Sequence, residues 1–341
     1  MSKIVSWGSF LVVFLLSCGG SSKDVPNNNT APTNLNVQFQ VATDSSGNVS
    51  FVATATNAVN FEYDFGNGTY QTVPSGSVVY KYPSSGNYTV NVTAKSSGGQ
   101  TIAKTIQVAL GVKISLIWSE EFDTPGAPNT AKWGYDIGEG GWGNSELQNY
   151  TNRSNNSVVS NGTLKIIAFR EPYGTSAFTS ARLLSKDKFS FKYGKIEVRA
   201  KLPANAGTWP AIWMLGSNIS TISWPACGEI DIMEHKGNDL NKIYGTIHYP
   251  NHSGGSAVGG TTLITTATTD FHRYATIWSD ASIQFLVDDI PFFSVANNNT
   301  MPFNQNFFVI LNLAMGGTFG GAVAPAFTTA QMEVDYVRVY Q

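Results

Sequence analysis

Charge is what this chain has least of. Asp, Glu, Lys and Arg make up only 13% of its 341 residues and the net charge is −2, where an ordinary soluble domain carries about 25% charged residues. That excludes a basic field able to draw in nucleic acid or anionic lipid, and there is no acidic tail. An uncharged polymer suits such a surface better. Cysteine is almost absent too, the 2 examples being Cys18 and Cys227, so neither a disulfide framework nor a Cys/His zinc cluster can be built. No glycine-rich phosphate loop precedes a helix, and no stretch sustains a 3.6-residue apolar period. A helical bundle is excluded. The N-terminal apolar run ending Phe10-Leu11-Val12-Val13-Phe14-Leu15-Leu16 is short of the ~20 residues a membrane helix needs.

What is present is glycine, aromatics at 12% and abundant Ser, Thr and Asn, the composition of twisted sheets with many turns. The fold class expected is all-β. The length is enough for two separate cores. Lys3 followed by the short apolar run reads as a signal segment, and Leu15-Leu16-Ser17-Cys18 resembles the lipobox of bacterial lipoproteins. Cleavage before Cys18 would leave 341 − 17 = 324 residues, with Cys18 lipidated as a membrane anchor. The expected organisation is residues 1–17 as signal peptide, 18–32 as a flexible tether, 33–111 as a small β-sandwich and 112–341 as a large one. Location follows as the bacterial cell envelope, lipid-anchored to the outer membrane and exposed at the surface. With Cys18 lipidated, Cys227 has no partner and is expected to serve as a small buried hydrophobe.

Against this low charge, Gly228-Glu229-Ile230-Asp231-Ile232-Met233-Glu234-His235 crowds three acids into a β-prone segment. Side chains alternate along a strand, so Glu229 and Asp231 share a face while Ile230 and Ile232 point into a core. Strict alternation sends Glu234 to the wrong side. One extra residue near Ile232 or Met233, a β-bulge, brings Glu234 back beside the other two, and bulges commonly re-aim side chains at active sites. Two carboxylates about 5–5.5 Å apart are what a retaining glycosidase uses as nucleophile and acid/base. The bland alternative is a surface strand whose solvated face happens to be acidic. Clustered acids cannot all ionise cheaply, so one of them is expected to hold its proton near neutrality, as a general acid must.

Two family resemblances organise the rest. Tyr63-Asp64-Phe65-Gly66-Asn67-Gly68 and the stretch from Tyr80 to Tyr88 resemble the signatures of PKD-type immunoglobulin-like domains, with Asn67 where Asp is commoner. The resemblance implies a spacer or a weak polysaccharide contact, without catalysis. Trp118 to Asp123, Gly141 to Gln148, Gly207 to Met214, Gly228 to Glu234 and the closing Val334 to Tyr340 together resemble glycoside hydrolase family 16, in its bulged laminarinase branch. That implies a β-jelly-roll (concanavalin A-like) sandwich and an endo-1,3-β-glucanase acting on β-glucan. Glu229 would be the nucleophile, Glu234 the acid/base, and Asp231 the residue that shapes the nucleophile's charge.

Sugars have apolar faces and polar rims, so a cleft needs aromatic platforms and hydrogen-bonding side chains. Trp209 and Trp213 share a face of one strand and, with Trp224, are the platform candidates, while Trp133 and Trp278 read as core. By resemblance Asn144, Glu146 and Arg182 are the polar partners, and His248 either reaches the acid/base region or is a satisfied structural histidine. Phe319 stands where family members often carry Trp, which implies weaker stacking at an outer subsite. The resemblance implies no cofactor for catalysis, and a structural Ca²⁺ held by the backbone carbonyls of Glu121 and Gly162 and the carboxylate of Asp335, hard oxygen ligands as that ion prefers; the alternative for Asp335 is a buried acid satisfied by backbone amides. The expected partners are a β-glucan and the lipid bilayer, with the protein a monomer and no nucleic acid involved. Rival readings are a hydrolase of mixed-linkage glucan, agar or carrageenan, and a non-catalytic glucan-recognition protein. The last usually lacks the two glutamates that this chain has.

Overall fold

A computed structural model describes residues 30–341. The signal segment, Cys18 and the lipid anchor expected on it lie outside the described residues. The described chain is almost entirely β, its one α-helical turn being Gly317–Gly320.

Residues 33–110 form a small sandwich. Thr33–Val41, Asn48–Thr56 and Ser77–Lys81 make a three-stranded sheet, and Tyr70–Val73, Asn60–Asp64, Gly86–Lys95 and Thr101–Leu110 a four-stranded one. The two signature stretches supply the filling between the sheets. Phe65 stacks on Tyr80 at 3.9 Å between ring centroids and Tyr82 meets Tyr80 edge-on at 4.7 Å. The buried phenols are satisfied by the backbone, Tyr63 Oη donating to the Gly76 carbonyl at 2.6 Å and Tyr82 Oη to that of Phe65 at 3.2 Å. Asn67 is buried and its Nδ2 donates to Tyr80 Oη at 2.8 Å. An amide can donate there where an ionised Asp could only accept.

The larger sandwich begins at Leu116–Glu120 and closes with Thr329–Tyr340, the central strand of a ten-stranded sheet. Facing it is a seven-stranded sheet in the order Val258–Leu263, Lys242–His248, Glu229–Glu234, Thr208–Gly216, Phe307–Met315, Arg182–Leu184, Gly134–Asp136. This is the jelly-roll architecture expected. Its core takes Ile212, Met214, Ile230, Ile232, Met233, Ile243, Ile247, Val309 and Leu311 from one sheet, packed against Ile196, Val198, Tyr274, Phe285 and Val337 from the other. Burying one such aliphatic side chain stabilises by about 1.5–3 kcal/mol, so the inward face of the seven-stranded sheet is strongly specified. Trp133 and Trp278 are 1% exposed, as core residues should be. With the inward face committed, the opposite face of the same sheet is left for polar side chains, and there the acids lie.

Candidate active site

The bulge is present and can be located from the register on both sides. Against Thr208–Gly216, Trp213 pairs with Asp231 and Ile212 with Met233, so Ile232 has no partner. Against Lys242–His248, Asp231 pairs with Thr246 and Glu234 with Tyr244, leaving Ile232 and Met233 together opposite Gly245. Ile232 and Met233 are both buried in the core, so the strand turns two consecutive side chains inward and Glu234 emerges on the face of Glu229 and Asp231. Gly245 is required at this crossing: a Cβ there would lie 2.8 Å from a ring carbon of Phe285 and 2.9 Å from one of Phe292.

Residues paired across an antiparallel ladder share a face. Leu215, Trp213 and Ala211 therefore flank Glu229, Asp231 and Glu234 on one side, and His248, Thr246 and Tyr244 flank them on the other. His248 Nε2 is 3.2 Å from Asp231 Oδ2 and 3.8 Å from Glu229 Oε1. Because it pairs with Glu229, His248 sits at the Glu229 end of the strand, and from there it still acts electrostatically on Glu234. Its Nδ1 accepts from the Gly254 amide at 3.1 Å, which leaves Nε2 as the donor toward the acids. Trp209 Nε1 donates to Glu234 Oε1 at 3.0 Å. That bond occupies one carboxyl oxygen and fixes the orientation of the group.

Electrostatics match the crowding. Burial, then repulsion from Asp231, holds the Glu229 carboxyl well above its usual range, with His248 opposing. Burial, then Glu234, does the same to Asp231, and burial raises Glu234 against the hydrogen bond from Trp209. The cluster therefore keeps protons to higher pH than exposed carboxylates would. Cys227, buried beside it, is pushed up to about 11 chiefly by burial, so its thiol is inert at neutral pH.

The other expected residues gather on the same face. Trp213 Nε1 donates to Asn312 Oδ1 at 2.7 Å, Asn312 Nδ2 to Tyr150 Oη at 3.0 Å, and Tyr150 Oη to Glu146 Oε2 at 3.1 Å. Gln148 donates to Glu146 at 2.6 Å and Asn144 at 3.4 Å. Burial raises the Glu146 carboxyl even so. Arg182 ion-pairs with Asp136 at 3.0 Å and lies over two indoles, Trp213 at 4.7 Å and Trp142 at 5.1 Å. Trp224 is 44% exposed and lies 5.8 Å from the His248 ring. Phe319 is 5.2 Å from Trp209 and 5.0 Å from Tyr244, with the Lys236 ammonium 4.8 Å from its ring.

Sequence reasoning missed Trp142, Gln148, Tyr150, Asn312 and Tyr244. Two of these carried a signal. Asn312 interrupts a strand, Phe307–Met315, that is otherwise apolar and buried throughout, and a lone amide there calls for a polar partner. Trp142 stands between glycines, where a large ring has no local packing reason.

The calcium residues lie on the other sheet. Leu164 pairs with Val334 and Glu120 with Val337 on the same side of the terminal strand, so Gly162 and Glu121 meet beside Asp335 and Tyr336. The Asp335 carboxylate is ion-paired with Arg199, and that of Glu121 is held by Arg338 through two bonds of 3.0 and 2.8 Å. Asp335 would reach a cation only by releasing Arg199.

Residues 144–338 match glycosyl hydrolases family 16, and residues 24–109 match the PKD domain. The beta-glucanase of Rhodothermus marinus is 46% identical over 242 residues, covering 66% of this chain and 85% of that protein. The X-ray structure of the laminarinase from Rhodothermus marinus superposes with a TM-score of 0.65 at 46% identity, covering 67% of this chain and 98% of that one. A crystal structure of LamA from Z. galactanivorans in complex with laminaritriose and laminaritetraose gives a TM-score of 0.62 at 44% identity, over 67% of this chain and 99% of the other.

Proposed function

The chain belongs to glycosyl hydrolases family 16, and from that premise we propose that it hydrolyses internal 1,3-β-glucosidic bonds of laminarin-like polysaccharides with retention of configuration. The observation that carries this is the bulged strand, which sets Glu229, Asp231 and Glu234 on one open face with Trp209 fixing the orientation of Glu234. Glu229, ionised in the working state and faced by His248 Nε2, attacks the anomeric carbon. Glu234 gives its proton to the glycosidic oxygen as that bond breaks, so the leaving sugar departs neutral. Glu234, now ionised, takes a proton from water, which attacks the glycosyl-enzyme and releases Glu229. Asp231, enclosed between the two glutamates, shapes the charge of Glu229, and His248 Nε2–H stabilises that carboxylate when it ionises. Trp213, Trp209 and Trp224 present ring faces to the sugars, while Glu146 and Asn144 meet hydroxyls.

The full reading adds lipidation of Cys18, which tethers the enzyme at the cell envelope, and a structural calcium at Glu121, Gly162 and Asp335. Cys18→Ala should then release the protein from the membrane fraction, and a chelator should lower the melting midpoint of the large sandwich. The function itself is tested by NMR of the first reducing ends formed from laminarin. The β-anomer is expected. An α-anomer, or products only from agar or carrageenan, would overturn the reading.

A further inference from the structure

Trp142 is a large apolar side chain held where the backbone resists it. Its φ is +48°, in the left-handed region that costs a non-glycine residue of order 1 kcal/mol or more. Gly140, Gly141 and Gly143 around it also have positive φ, at 110°, 79° and 79°. This glycine-rich turn delivers one indole to one place. There the ring is only partly buried, its Nε1 donates to the Gly138 carbonyl at 3.3 Å, and it leans on the buried Tyr150 at 5.3 Å. A core tryptophan would need no such turn.

Arg182 explains the position. The guanidinium lies 5.1 Å from the Trp142 ring and 4.7 Å from that of Trp213, and Asp136 holds it at 3.0 Å. Only 14% of its side chain is exposed and its Nε is buried, so the stem and the guanidinium plane are packed between the two rings. It acts as a spacer between two rings, a role that a planar guanidinium suits. Trp213 is independently fixed by Asn312.

We propose that Trp142 is a second sugar platform, outward of Trp213 on the arm of the cleft built by Gly134–Asp136 and Arg182–Leu184, and that Arg182 is the brace setting the distance between the two. This rests on the glucanase reading and specifies which arm of the cleft selects long chains. A short oligosaccharide at the acids and Trp213 does not reach Trp142; a longer one does.

The test is calorimetric binding of laminari-oligosaccharides of increasing length to the full chain carrying Glu229→Gln, which binds without turnover. Adding Trp142→Ala should leave the disaccharide unchanged and weaken the longest chains by about 2- to 12-fold, the range of one aromatic contact. Trp142→Phe should restore most of that loss. Arg182→Met removes the brace while Asn312 still holds Trp213, so it should weaken the longest chains more than the disaccharide. In the active enzyme Trp142→Ala should raise KM on laminarin more than KM on a short oligosaccharide. Equal losses at every length would show that Trp142 only supports the loop and Glu146, and no loss at any length would remove it from the cleft; either overturns the platform while leaving the glucanase intact. No binding of any laminari-oligosaccharide to the Glu229→Gln protein would overturn both.

Discussion

The two sandwiches of this chain spend their aromatic residues in opposite ways. In the small one Phe51, Tyr63, Phe65, Tyr80 and Tyr82 are all buried against one another, and the phenols find backbone carbonyls or neighbouring side chains. In the large one Trp133 and Trp278 are likewise buried, Trp278 Nε1 donating to the Phe303 carbonyl, but Trp209 and Trp213 lie on the outer face of a sheet and Trp142 and Trp224 stand on turns beside it, next to groups that carry or can carry charge. Both domains are β-sandwiches rich in rings. Aromatic content therefore marks neither a core nor a cleft. What separates them is the company: the buried rings pack against one another and inward methyls, whereas these four indoles are set against the carboxyl, guanidinium and imidazole groups of the acidic face.

That contrast breaks first at Glu229. Glu229→Gln should abolish hydrolysis, exceeding the ~10²–10⁴-fold loss expected for removing the acid/base in Glu234→Gln, with circular dichroism unchanged. Its stability should move the other way. Burial keeps the Glu229 proton on in the folded protein above the pH at which the unfolded chain releases it, so the folded state binds more protons there and stability falls as pH rises. Glu229→Gln should thus melt higher than the parent above about pH 4.3, the ordinary Glu value, with the advantage disappearing at lower pH. A variant that is inactive but melts lower at neutral pH would mean that the acids help hold the sheet together.

The opposite pattern is expected in the small sandwich. Phe65→Ala should remove about 3–5 kcal/mol from that domain, seen as an earlier separate melting step, while kcat on a short laminari-oligosaccharide stays that of the parent. A coupled loss of activity would show that the small core supports the large one.

A third test lies one residue beyond Glu234. His235 is 0% exposed, neither ring nitrogen has a hydrogen-bond partner, and burial lowers its pKa to about 4. The unfolded chain binds a proton here below about pH 6.5 and the folded chain does not until about pH 4, so stability is lost as pH falls through that interval. His235→Leu should cancel up to ~3 kcal/mol of that loss at pH 4, measured as urea midpoints from pH 7 to pH 4. Parallel curves for the two proteins would mean that His235 is solvated when folded. The smallest effect is expected at Tyr70, 71% exposed on the small sandwich: Tyr70→Ser should change stability by no more than about 0.5 kcal/mol and leave kcat/KM on short oligosaccharides unaltered.

Much of this was legible in the residues themselves. Strand alternation is a local property, so three acids spaced as Glu229, Asp231 and Glu234 demanded a bulge to share a face, and the inward pair Ile232 and Met233 is the structural consequence. Local too were the all-β class, the buried Trp133 and Trp278, and the pairing of Trp209 with Trp213 on one side of their strand. What only the tertiary structure decided are contacts between strands far apart in the chain. Arg182 meets Trp142 and Trp213 from three separate segments, Asn312 joins Trp213 to Tyr150, and His248 falls beside Glu229 because of register. The physical reason is the same throughout: a strand's own geometry dictates which way its side chains face, whereas the neighbour they meet depends on sheet order and register, which come from burying the whole inward surface at once.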